Sequence, residues 1–249
     1  MSTPDLIRKL NGFFPVGDTL QGDLDALTRE QVLLAPGESL IHAGDPLTNI
    51  YIVDEGWMLR SRHLPGGGRQ IVGIALPGDF LCFSSLMFET SDFDLTAKTQ
   101  AAVSRLQIDS FRSLMHLHPG LAEALVWSTA HEESLLAERI VSLGRRDATE
   151  RLAHILCEIV ARLQLIDRHD GEVLSLPLIQ EDFADILGIS VIHIVRTFKR
   201  LAMLGAVEYR TRKLALLDVA KLHRIAGFDG EYLHFSQRRD VRPIHHKPD

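Results

Sequence analysis

Between Arg196 and Lys213 the chain carries six basic residues, Arg196, Lys199, Arg200, Arg210, Arg212 and Lys213, against one acid, Glu208. That local excess of five positive charges sits in a chain whose formal net charge is −6. Screening confines a local field to roughly 10 Å, so the acidic remainder does not cancel it. The chemistry it offers is phosphate binding. The stretch leading into it, EDFADILGISVIHIVRTFKRL (181–201), has helix–turn–helix spacing. Phe183, Ala184 and Leu187 are placed to pack a first helix, Gly188 permits a left-handed turn residue, and Ser190 can cap a second helix. Ile194, Phe198 and Leu201 at i, i+4 and i+7 pin that second helix to a core. The opposite face then presents Ile192, His193, Val195, Arg196, Lys199 and Arg200.

Such a face suits the major groove of duplex DNA, where the first turns of a helix reach base edges and later basic residues reach phosphates. Arg196 can match guanine bidentately, His193 can meet a base edge or a phosphate, and Ile192 and Val195 can press on thymine methyl groups. The plainer alternative is that Val191 and Ile192 tuck against the neighbouring helix. GAVEYRTRKLALLD (205–218) reads as two strands around RTRK, a wing that would place Arg210, Arg212 and Lys213 on phosphates. An ordinary solvated turn is the alternative there.

Other elements must position these residues. From Pro119 onward the texture is helical. Ala122, Val126, Thr129, Glu133, Leu136, Ile140 and Leu143 follow a 4-3 spacing over three heptads, with Leu121, Leu125 and Leu135 broadening the stripe. The spacing fits a helix-pair dimer or one face of a helix packed on its own domain. Thr129 and Glu133 interrupt it, either to fix register or to face a pocket. Gly144 ends this helix, Asp147 caps the next, and Leu152, Ile155, Leu156, Ile159, Val160 and Leu163 form that helix's apolar face. Residues 31–109 read instead as short strands separated by turn signals, an all-β sandwich or barrel. Gly66–Gly68 lacks the Lys-Ser/Thr end of a phosphate loop and reads as a hairpin turn. Residues 1–30 read as short helices with loops. The tail from 235 is polar and frayed, so His245 and His246 have no structural meaning.

With 249 residues, 45% hydrophobic and 24% charged, the chain has the composition of a globular protein of about two domains. It shows no membrane-length apolar run and no signal-peptide pattern at its N-terminus. Two cysteines, Cys82 and Cys157, cannot build a disulfide framework. A cytoplasmic protein is the simplest expectation. An enzyme is not expected. No H-x-H followed by Glu accompanies His42 and His63, and HEES at 131–134 is not H-E-x-x-H.

LAPGESLIHAGDPLTNIYIVDEGWMLRSRHLPGGGRQIVGIALPGDFL resembles the β-roll of the Crp/Fnr regulators, the cyclic-AMP receptor protein family, with glycines at 37, 44, 56, 68 and 78 where that family turns. LGRRDATERLAHIL is similar to its hinge, and LPLIQEDFADILGISVIHIVRTFKRLAMLGAVE to its winged helix. The S-V-x-H-x-x-R run resembles a fixation-type subgroup whose members often carry Asn where Val195 stands. The resemblance implies an α+β fold. A sensor β-roll of the cyclic-nucleotide-binding type spans 1–118, a dimerisation helix and hinge 119–146, a winged helix-turn-helix 147–234, and a flexible tail 235–249. It implies a homodimeric transcription regulator that binds a palindromic double-stranded DNA site and touches RNA polymerase. Its effector pocket would be lined by Phe80, Cys82, Ser84, Ser85, Thr96, Thr129 and Glu133.

Departures are informative. The family's Gly-Glu-Leu run and Arg-Ser pair, which hold a cyclic phosphate, are missing from GDFLCFSSLMFETSDFDLTAK (78–98), which holds no Arg. A cyclic phosphate would lack its clamp, so an effector other than cyclic AMP, or none, is expected. No N-terminal cysteine cluster is present for iron–sulfur binding. Val191 and Ile192 replace the recognition Arg-Glu pair, while Arg196 is retained. No cofactor is expected. Haem on His42, His63, His116 or His131 is the alternative, as is redox sensing at Cys82, against which Phe80 and Phe83 imply an apolar site.

Overall fold

The computed structural model describes residues 4–13, 19–27, 30–168 and 173–234. The tail from 235, with His245 and His246, lies outside them. Eight short strands follow two N-terminal helices, α1 (Pro4–Phe13) and α2 (Thr19–Leu27). The strands are β1 (Gln31–Leu34), β2 (Ser39–Ile41), β3 (Asn49–Glu55), β4 (Met58–His63), β5 (Arg69–Ala75), β6 (Phe80–Leu81), β7 (Asp94–Ala97) and β8 (Ala101–Gln107). They form two four-stranded antiparallel sheets, ordered β1-β8-β3-β6 and β2-β7-β4-β5.

Alternation along the strands decides what each sheet face buries. Leu34, Val53 and Val103 of the first sheet meet Ile41, Met58 and Leu95 of the second in a core between the sheets. The outer face of the first sheet, with Ile50, Ile52 and Leu106, is covered by α1, α2, α3 (Ile108–Leu117) and the start of α4 (Pro119–Arg145). Gly78 marks how closely α1 approaches. Its φ is +83°, and a Cβ there would lie 2.7 Å from the backbone carbon of Asp5.

Helix α4 divides its apolar residues between two directions. Leu121, Leu125 and Leu135 are buried in their own chain, so they belong to a second face and do not broaden the heptad stripe. Val126 and Ile140 on that stripe are 72% and 71% exposed, and Leu136 and Leu143 are also exposed. The helix runs one residue past Gly144 to Arg145. Asp147 then caps α5 (Ala148–Leu165) in a reciprocal capping box with Glu150.

The C-terminal part holds β9 (Val173–Ser175), α6 (Gln180–Leu187), α7 (Val191–Met203), β10 (Val207–Arg210), β11 (Lys213–Leu216) and α8 (Val219–Ala226), with a three-stranded sheet ordered β10-β11-β9. Its core is continuous with the outer face of the second sheet. Leu59, Ile71 and Ile74 of β4 and β5 are buried in one cluster with Ile155, Phe183 and Ile186.

Candidate nucleic-acid interface

Helix α7 is amphipathic and its two faces are cleanly separated. Ile194, Thr197, Phe198 and Leu201 are buried, while Ile192, His193, Arg196, Lys199 and Arg200 are exposed and Val195 is half-buried. Ser190 Oγ accepts from His193 N at 3.3 Å and so starts the helix. The left-handed Gly188 (φ +64°) turns the chain between α6 and α7. An aromatic group fixes the angle of α7: Phe198 stacks on Tyr209 of β10 at 4.6 Å and meets Phe183 of α6 edge-on at 5.3 Å. The Tyr209 hydroxyl donates to the Leu178 carbonyl. Val191 packs against this core, which decides for the inward reading at that residue alone. Ile192 is 66% exposed, an isobutyl-sized group held in water at the first turn of a basic helix.

The wing carries Arg210, Arg212 and Lys213, all exposed. Arg210 Nε donates to Glu208 at 2.6 Å. Thr211 and Arg212 form the tip of the β10–β11 hairpin with φ of +50° and +60°. Side chains rarely adopt that region, and two-residue hairpin turns normally place Asn or Gly there. An arginine held in a left-handed conformation at an exposed tip is strain without a packing return.

The residues expected to line an effector pocket do not share one cavity. Phe80 packs on the helical side of the first sheet, edge-on to Phe111 at 5.9 Å. Cys82 lies against the core between the sheets. Thr96 points to the outer face of the second sheet, where its hydroxyl lies 3.3 Å from Ser39 Oγ. Ser84 is exposed and Ser85 buried. Thr129 and Glu133 are exposed on α4. What the sequence reading missed at the mouth of the roll is Arg60 of β4. Its guanidinium lies over the Phe93 ring at 5.4 Å and donates to Glu132 of α4 at 2.7 Å. Arg60 is thus already committed to α4. A charged residue at an inward strand position was the available signal.

Burial pushes the Cys82 thiol up to about 12, as it does Cys157. His42 and His63 are exposed and bracket Asp94 at 3.4 and 3.9 Å. His116 is exposed, and His131 stacks on Trp127 at 4.8 Å.

Comparison with known proteins matches a cyclic nucleotide-binding domain over residues 31–118 and a Crp-like helix-turn-helix domain over 150–225. The chain is 32% identical to the nitrogen fixation regulation protein FixK of Bradyrhizobium diazoefficiens over 197 residues, 79% of this chain and 82% of that one. It is 28% identical to the transcriptional activator protein FnrL of Cereibacter sphaeroides over 78% of this chain and 79% of that one. The chain belongs to the Crp/Fnr family of transcription regulators. Among solved structures, FixK2 from Bradyrhizobium japonicum has the same fold, with a TM-score of 0.72 at 23% identity over 79% of this chain and 96% of that one. The protein is therefore a DNA-binding transcription regulator and not an enzyme.

In this Crp/Fnr regulator the two halves are joined by buried charge. Asp182 caps α6 through Ile179 N at 2.8 Å and receives Lys98 at 2.5 Å and Arg69 at 3.2 Å from the β-roll half. Arg69 also reaches Asp185 at 2.6 Å. Deeper in the joint, Arg162 of α5 donates to the Ile74 carbonyl at 2.7 Å and to Asp79 at 3.1 Å. Arg139 of α4 donates to the Val72 carbonyl at 2.9 Å and to Glu158 of α5 at 3.2 Å. The helix-turn-helix is thus held against its own β-roll with α7 facing away. Glu158 and Arg162, four residues apart within the apolar face of α5, were the sequence signal for this joint. Among the described residues no helix is long and apolar enough to cross a membrane.

Proposed function

We propose that this regulator works in the cytoplasm as a homodimer on a two-fold symmetric DNA site. The exposed face of each α7 enters the major groove, Arg196 reads guanine, and Ile192 and Val195 meet thymine methyl groups. His193 meets a base edge or phosphate, Lys199 and Arg200 hold phosphates, and the wing adds Arg210, Arg212 and Lys213. The observation that carries the reading is the separation of the two faces of α7, apolar residues inside and a basic, capped face outside. The exposed stripe of α4 from Val126 to Leu143 supports pairing of two copies.

The reading includes an effector other than cyclic AMP, because Arg60 is taken by Glu132 and the stretch 78–98 adds no arginine. It includes no resident cofactor, and a reconstitution with haem is expected to give no Soret band. Contact with RNA polymerase belongs to the same proposal. Footprinting on genomic fragments tests it. Protection is expected over two inverted half-sites about 10 bp apart centre to centre. Protection of a single half-site by a monomer would overturn the dimer.

A further inference from the structure

Arg151 stands in the first turn of α5, inside the capping box of Asp147 and Glu150, and reaches three helix-end carbonyls at once. Its Nε donates to the Arg146 carbonyl at 2.9 Å, Nη2 to the Leu143 carbonyl at 2.7 Å and Nη1, more loosely, to the Leu187 carbonyl at 3.4 Å. Leu143 lies in the last turn of α4, Arg146 is the C-cap of that helix, and Leu187 is the last residue of α6. The last four carbonyls of a helix have no partner within it, and they carry the negative pole of the helix dipole. A guanidinium offers five donors in a rigid planar fork and can satisfy several such groups together, which the point charge of a lysine cannot.

The two helices it joins are the two on which the proposed DNA reading depends. Leu143 belongs to the exposed stripe of α4 that would pair two copies. Leu187 stands immediately before Gly188, the left-handed residue that turns the chain into α7. The joint is tight, since a Cβ on Gly188 would lie 4.0 Å from Leu143 Cδ2. The space left among α4, α5 and α6 beside Arg151 is about 10 Å³. That is room for one water at most, so the arginine serves a packed joint and not a ligand. The neighbouring carbonyl of α6, that of Ile186, is taken by Gln70 of β5 at 3.1 Å. Gln70 therefore holds α6 to the β-roll, whereas Arg151 holds α6 to α4.

We propose that Arg151 is a positioning residue for DNA binding: it locks the turn before α7 to the seam end of α4 and so sets the separation of the two recognition helices in the dimer. It is given no contact with DNA. The proposal deepens the dimer reading above and rests on it.

A stiff joint has a consequence that can be read on duplexes. One base pair added between two half-sites moves them apart by about 3.4 Å and turns one against the other by about 35°. A dimer with its recognition helices fixed then engages one half-site and forfeits the intramolecular second contact, while a dimer with a slack joint follows the change.

Full-length wild type and Arg151→Met are titrated with four duplexes: the footprinted site, the same site with one base pair added or one removed between the half-sites, and a single half-site. Wild type is expected to lose about 10²-fold or more in affinity on either change of spacing. Arg151→Met keeps the aliphatic stem and removes the fork. It is expected to bind the native spacing more weakly, to lose at most about tenfold more when the spacing changes, and to match wild type on the single half-site. Should Arg151→Met not fold, Arg151→Lys keeps the charge at the helix ends without the fork and is expected to blunt the spacing preference in the same direction. A merely structural role would lower the thermal midpoint and weaken all four duplexes by one common factor, and that result overturns the proposal. A variant that discriminates spacing as sharply as wild type also overturns it and leaves the dimer reading intact. A wild type indifferent to spacing overturns the dimer reading and this role with it.

Discussion

The guanidinium of Arg162 on α5 lies 3.1 Å from Oδ2 of Asp79 in the β5–β6 turn, an ion pair between the DNA-binding half of the chain and the β-roll half. Its partners are arranged so that neither charge is stranded: Asp79 also takes Lys9, and Arg162 also takes the Ile74 carbonyl. Removing one member leaves buried charge uncompensated. Arg162→Met is expected to cost about 3–5 kcal/mol in chemical denaturation. The double substitution Arg162→Met with Asp79→Asn is expected to cost less than the sum of the two singles. Additive losses would show that the pair is not coupled.

The exposed stripe on α4 predicts an oligomeric consequence. Ile140→Glu sets a charge on the apolar C-terminal part of the seam and should shift sedimentation from dimer to monomer. Affinity for a two-half-site duplex should fall by roughly 10²-fold or more, because the second half-site no longer binds intramolecularly. A variant that remains a dimer would place the subunit contact elsewhere.

The wing tip separates strain from charge. Arg212 holds a φ of +60°. Arg212→Gly relieves that conformation and should stabilise the folded protein by about 1 kcal/mol. It should also weaken binding to every duplex alike and reduce the dependence of log K on log salt by about one unit. A destabilised variant with unchanged salt dependence would show that the arginine serves packing.

Sequence and structure agree most closely where a short-range rule acts. The cap at Ser190, the turn at Gly188, the buried row Ile194, Phe198 and Leu201, and the cap at Asp147 were all legible, because each is fixed within a few residues along the chain. The α4 stripe was legible in period and not in width. Leu121, Leu125 and Leu135 stand next to it in a helical projection, and only tertiary packing, for Leu121 and Leu125 that of the N-terminal helices, shows that they turn inward. The residues grouped as an effector pocket are set apart by alternation along the strands. It sends Phe80 and Thr96 to outer faces of different sheets, and Arg60 comes from β4, outside the stretch 78–98. At the joint, Glu158 and Arg162 within the apolar face of α5 marked a buried charge locally, but their partners Ile74 and Asp79 lie more than seventy positions away and no local pattern names them.

Acid should act on His131 before it acts on the carboxylates. Burial, foremost, and the nearby Arg162 lower its pKa to about 4 from 6.5. The unfolded chain therefore binds a proton that the folded chain refuses, so stability falls as pH drops from about 6.5 towards 4. His131→Phe removes that proton uptake and should flatten stability over this window, by no more than about 3 kcal/mol in total. His154, lowered mainly by burial, contributes a loss of the same sign and should leave a residual slope. Identical pH profiles for wild type and variant would contradict the assignment.

Arg196 carries the central claim, since it stands on the exposed face of α7 two turns from the Ser190 cap and has no role in packing. The decisive measurement is the affinity of wild type and Arg196→Ala for a bound site in which each base pair is changed in turn. At one position, repeated symmetrically in both half-sites, wild type should lose about 1–3 kcal/mol on substitution and Arg196→Ala should be indifferent. Equal discrimination at every position in both proteins would contradict the placement of α7 in the groove.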